Sequence, residues 1–232
     1  MKKIAILMVL VMVLSMGAAF AATPGSASIT STDRGSYDNA STETLAATGG
    51  TIFDADVTTT ASTIRWVGIS GDVSGNIVLG DSSNNILYNW GDATPLAVYA
   101  TLNGDTINWD GGLSNGVQTD FETDFSYLTD ANAPNDGYTK TFNASTVDLG
   151  AISNLYNPGA CPSAETLSST GAAWQTLHCQ DGSAQTVLVG IVDATGHTDY
   201  SGTSVNYQMI IPELGGQGQT GATLWDLWVE LE

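Results

Sequence analysis

The sequence predicts an all-β chain, an antiparallel β-sandwich of jelly-roll or immunoglobulin-like type with a loop-rich inserted region. Three observations carry this. Period-2 alternation of apolar and polar residues recurs along the chain. Short β-branched and aromatic runs are broken by Gly, Asn and Asp clusters. Helical periodicity is nearly absent after the apolar N-terminal stretch.

That stretch comes first. Met1-Lys2-Lys3 is a short basic head, Ile4 to about Ala19 is uncharged and apolar, and Ala19-Phe20-Ala21 is a small-residue exit. Residues 1–21 therefore read as a secretory signal peptide, which places the working chain outside the cell or on its surface. The uncharged run approaches the ~20 residues a membrane span needs, so a retained anchor is the alternative. Polar Thr23-Pro24-Gly25-Ser26 follows the exit at once and favours cleavage. The cleavage point lacks the Cys of a lipoprotein signal, and the pattern is not that of a type IV pilin.

Residues 22–35 follow as an extended, small, β-prone segment, and residues 36–232 as the sandwich domain. Ile64–Ile69 is a first strand candidate. Val73, Gly75, Ile77 and Leu79 alternate with polar residues, Asp81-Ser82-Ser83-Asn84-Asn85 is a turn cluster, and Ile86, Tyr88 and Trp90 alternate again. Together these predict a hairpin. Leu96, Val98, Ala100 and Leu102 alternate next, and Asn103-Gly104 predicts a turn into a strand at Thr106–Trp109. Thr186–Val192, Val205–Ile211 and Leu224–Leu231 complete the strands. Residues 111–160 are rich in Asp, Asn and Gly, and are expected to be long loops with short strands, within an insertion of about 111–180. Gly215–Gly221 reads as a flexible loop. The last strand reaches the end of the sequence, leaving no expected C-terminal anchor.

Composition bounds the partners. Cleavage after Ala21 would leave 211 residues (232 − 21), enough for one large β domain or two small ones. Arg34, Arg65 and Lys140 would then face 24 acids, a net charge of −21 (3 − 24). Such a polyanion repels phosphate backbones and anionic bilayers, so nucleic-acid binding and membrane binding after cleavage are both disfavoured. Six Trp, eight Tyr and only 12% charged residues mark a foldable chain rather than a disordered one.

Cys161 and Cys179 are the two cysteines. In an exported chain they predict a disulfide, contributing roughly 3 kcal/mol in the chain-entropy account. A metal site with His178 and His197 is the alternative. It is disfavoured because adjacent His178 and Cys179 point apart in a strand.

Several constellations are candidates for function. Ala27, Ile29 and Thr30 lie in the N-terminal segment and could add a strand to a neighbour's sheet, the alternative being an ordinary first strand of their own domain. Asp130, Asn132, Asn135 and Asp136 crowd a Gly-containing loop with hard oxygen donors suited to Ca²⁺, the one candidate cofactor. Asp54 with Asp56, and Asp120 with Glu122 and Asp124, alternate as one side of a strand would. None of these groups matches EF-hand spacing, and solvated acidic loops are the competing reading. Trp66, Trp90, Trp109, Trp174, Trp225 and Trp228 could include a stacking platform for glycans, although Trp in a sandwich is usually core. No catalytic residue stands out: only His178 and His197 could serve as His bases, and no Gly-x-Ser-x-Gly elbow occurs. Asn39-Ala40-Ser41 and Asn143-Ala144-Ser145 match the N-glycosylation acceptor.

Two stretches carry a resemblance. One is Ile64-Arg65-Trp66-Val67-Gly68 with Val73–Asp81 and Asn85–Trp90. The other is Tyr207–Glu213 with Leu227–Glu232. Together they resemble a group of uncharacterised acidic, exported, β-rich surface proteins of environmental archaea and bacteria. The chain is also similar in architecture to donor-strand filament subunits, which pair a signal peptide and an extended N-terminal segment with an incomplete sandwich. The resemblance implies no catalytic residues. The expected function is a non-enzymatic subunit of an extracellular filament, sheath or layer, with other copies of itself as partner. A monomeric carbohydrate-binding or adhesion module is the alternative.

Overall fold

A computed structural model of the chain describes residues 24–29, 60–109, 112–147, 161–169, 173–193, 195–213 and 223–232. The signal segment 1–21, Thr30, Asn39, Asp54, Asp56 and the Gly215–Gly221 loop lie outside these residues.

The protein is mostly β, with antiparallel pairing throughout the described strands. The strands are β1 (Gly25–Ser26), β2 (Trp66–Gly71), β3 (Gly75–Gly80), β4 (Ile86–Ala93), β5 (Pro95–Leu102), β6 (Ser114–Asn115), β7 (Ser163–Leu167), β8 (Ala173–Gln180), β9 (Thr186–Ile191), β10 (His197–Thr198), β11 (Ser204–Val205), β12 (Tyr207–Pro212) and β13 (Trp225–Leu231). The main sheet runs β1-β13-β5-β9-β8-β6, with β7 sharing the outer side of β8 with β6. β12 pairs with β2 as a second, two-stranded sheet, and β3 with β4 as a hairpin.

The centre of the main sheet is covered on both faces. Val98 and Ala100 of β5 and Leu188 of β9 meet Met209 and Ile211 of β12 in one buried cluster. Ala97, Tyr99, Val187 and Val189 meet Leu177, Ile107 and Leu113 in a second, on the other face. Each such side chain taken from water contributes roughly 1.5–3 kcal/mol. This explains why β9 reads as a near-continuous apolar run rather than an alternating one. β12 crosses β9 closely: a Cβ on Gly190 would lie 3.1 Å from Met209 Cβ.

Two expectations are corrected. Thr106–Trp109 forms no strand; Ile107 instead turns under the main sheet into the second cluster. Among its described residues, the region 111–180 is more than loops with short strands. It contains α1 (Gln118–Asp124), a 3-10 turn at Ser126–Leu128 and α2 (Tyr138–Thr141), and its last part supplies strand β8. Asp120, Glu122 and Asp124 therefore lie on a helix, not along one side of a strand. The cause is legible afterwards: Val117, Phe121, Phe125 and Leu128 recur at steps of four, four and three, a helical period. Phe121, Phe125 and Leu128 are fully buried in the first cluster.

One local device closes several hairpins. Asp81, Asp181 and Asp199 each begin a five-residue turn with Ser two positions on. In each, a carboxylate oxygen accepts the backbone N–H groups two and four residues ahead. The fourth residue has positive φ: Asn84 at 63°, Ala184 at 63° and Gly202 at 90°. These bonds hold the Asp81 carboxyl below its usual range, the Asn85 side chain contributing most. Burial opposes ionisation at Asp199, but the bonds from Ser201, Thr203 and Ser70 outweigh it and hold that carboxyl low too. Part of the acid excess is thus turn chemistry.

Candidate assembly interface

Strand β13 is the axis of the site. On its inner side it pairs with β5 from Trp225 opposite Leu102 to Leu231 opposite Pro95. On its outer side it carries, among the described residues, only β1: Gly25 stands opposite Val229 and Ser26 opposite Trp228, and the Ala27 N–H donates to Leu227 O at 2.8 Å. Ala27 and Ile29 thus lie along the edge of their own chain's sheet, and Ile29 is 64% exposed.

Beyond that edge the two sheets leave a groove of about 460 Å³. Val98, Leu227 and Val229 form its floor on the main-sheet side, Gly71, Val73 and Tyr207 its opposite wall, and Ala27 and Ile29 its rim. Desolvation raises the Tyr207 hydroxyl above its usual pKa, so it stays a neutral donor in the groove. The lining is mixed: Ser28, Ser70 and Asp72 stand among the apolar side chains.

The β3–β4 hairpin stands beside this groove. Its base is fixed by reciprocal Thr94–Glu232 backbone bonds of 2.9 Å and by Leu231 packed against Gly75. Its strands are open to solvent: Leu79 is 50% exposed, Ile86 59%, Leu87 80%, Tyr88 58% and Trp90 62%. Leu79 stands opposite Tyr88, and Tyr88 meets Trp90 edge-on. Of the six tryptophans only Trp90 is mainly exposed; the others are buried or half-buried.

The remaining candidates are placed as follows. Cys161 and Cys179 are disulfide-bonded, with Cα atoms 5.5 Å apart, and both are fully buried in the second cluster. His178 points the other way, among Phe121, Tyr138 and Phe142. Burial pushes its pKa down to about 3, and its Nδ1 lies 2.9 Å from the Tyr138 hydroxyl. His197 pairs with Asp193 on the surface at 2.7 Å. The two His rings thus serve different places, one walled by aromatic rings and the other held by a surface carboxylate. Asp130 accepts the Thr139 N–H and hydroxyl, and Asp136 accepts Arg65 and Thr63. Asn132 donates to Ser126 O, while Asn135 is exposed. Among the described residues no group of three or more His, Cys, Asp or Glu is placed to hold a metal ion. Asn143 and Ser145 are exposed on the loop after α2. Sequence reasoning missed Arg65, which ties β2 to the helical insertion through Asp136 at 3.0 Å. It also missed Glu230, fully buried and hydrogen-bonded by Tyr99.

Neither a protein-family model, nor a curated protein, nor a solved structure matches this chain. No helix among the described residues is long and apolar enough to cross a membrane.

Proposed function

We propose that this chain is a structural subunit of an extracellular filament, sheath or layer, assembled by β-strand addition between copies. The observation that supports it is the slight hold of β1 on β13. Two residues pair on the outer edge of a seven-residue strand, next to a groove of mixed lining. The same segment from a neighbouring copy makes identical main-chain bonds there, so exchange from cis to trans costs little beyond association entropy. Open edges recruit strands through unpaired N–H and C=O groups, and pockets for alternate side chains set the register. Export, the disulfide and the acid excess suit such a role: the polymer works in an oxidising medium, and charge keeps it soluble.

The adhesion-module reading rests on Tyr88 and Trp90. Their rings meet at 69°, so they offer no common plane for a sugar face. Electron microscopy of the mature chain with and without residues 22–34 tests the proposal. Filaments from the intact chain and none from the truncated one are expected; unchanged filaments after truncation would overturn strand addition.

A further inference from the structure

We infer that the outer face of the β3–β4 hairpin is a second self-association surface, occupied by the same hairpin of another copy, distinct from the β1–β13 site. Leu79, Tyr88 and Trp90 carry this. The pairing of Leu79 with Tyr88 puts these two on one side, and Trp90 meets Tyr88 edge-on there, while an irregularity between Leu79 and Gly80 breaks the alternation before Ile86. Six of the thirteen exposed large hydrophobics among the described residues belong to this hairpin. Clustering of this kind, unlike scattered exposed apolar residues, marks an interaction surface.

Charge selects the partner. The mature chain holds 24 acids against three bases, so two copies repel over most of their surface. The charged residues of the hairpin are Asp81 at its tip and Asp92 near its base. The Leu79, Tyr88 and Trp90 patch between them is therefore a place where one polyanion can touch another with few apposed carboxylates. A basic partner would be drawn to the acidic surface instead and would gain nothing from this neutral face.

Size sets the mode. The three side chains expose on the order of 400 Å² per copy, roughly half of the ~800 Å² per partner of a stable complex. One such contact is weak. Repeated along a polymer it multiplies by avidity, which is the arithmetic of lateral bundling. Only this bundling clause rests on the polymer reading; the pairwise contact does not need it. A two-stranded hairpin is also marginal alone in water, so covering its face stabilises the hairpin itself.

The test uses the full mature chain, the double variant Tyr88→Ser/Trp90→Ser, and a second variant, Leu79→Asp, which sets like charges face to face. Sedimentation across a concentration series should show self-association in the natural chain, weakened about tenfold or more in both variants. Trp90 emission should shift to the blue as concentration rises. In micrographs the variants should leave filaments single where the natural chain bundles, whereas deletion of residues 22–34 should remove filaments but keep the pairwise contact. Variants that associate like the natural chain would overturn the inference. So would a natural chain that stays monomeric when residues 22–34 are absent. A Trp90 shift produced by added polysaccharide but not by protein concentration would overturn it as well, and would assign the face to glycan.

Discussion

Gly25 stands opposite Val229 on the outer edge of β13, at the end of an antiparallel ladder only two residues long. A full sandwich strand makes five or six such pairs. So short a ladder adds few main-chain bonds and orders few residues, and it is the kind of contact that opens locally before the rest of the fold. Beneath it lie Leu227 and Val229, which pack into the first cluster beside Val98. The edge is therefore rigid on one side and lightly capped on the other.

The Asp-x-Ser turns make a stability prediction. Ala184 sits at φ 63°, where a side chain costs roughly 1–2 kcal/mol and Gly costs nothing. Ala184→Gly should raise unfolding stability by about 0.5–1 kcal/mol, after the entropy Gly adds to the unfolded chain. Asp181→Ala should lower it by about 1–3 kcal/mol, because the Ser183, Gln185 and Asn108 N–H groups lose their acceptor. Urea midpoints of the three proteins check both signs.

Acid should weaken the fold through His178. Its pKa is pushed by burial to about 3 in the folded state, against about 6.5 in the unfolded chain. The unfolded state then binds the extra proton between those values. Stability is full above about pH 6.5, falls as pH drops toward 3, and levels below. His178→Gln should flatten the slope between pH 6.5 and 5, where carboxylates titrate little. Denaturant unfolding at a series of pH values reads this; an unchanged slope would remove His178 from the account.

The fold was legible wherever one face of a strand met solvent or a turn announced itself. The Ile86–Trp90 hairpin and the Leu224–Leu231 strand were plain for that reason. The centre was harder, since β5 is buried on both faces and alternation marks only one of them. The helical insertion hid in a polar stretch because only Val117, Phe121, Phe125 and Leu128 carry its period. Of the candidate assembly site, the N-terminal segment was visible as a small, β-prone run. The groove was not, because Val98, Tyr207 and Val229 come together only through the sheet order. The protein partners of the acidic loop, Thr139 for Asp130 and Arg65 with Thr63 for Asp136, come from distant or intervening chain and leave no spacing signal.

The central claim concerns whose strand lies on β13. Gly25→Cys with Val229→Cys places two thiols at facing positions in a chain whose own cysteines are already bonded to each other. A Cβ at Gly25 meets nothing within 4 Å, so the substitution fits. After mild oxidation of assembled protein and denaturing electrophoresis without reductant, strand addition predicts a covalent ladder of oligomers that collapses on reduction. A single monomer band, with the new pair closed inside each chain at every concentration, would contradict it.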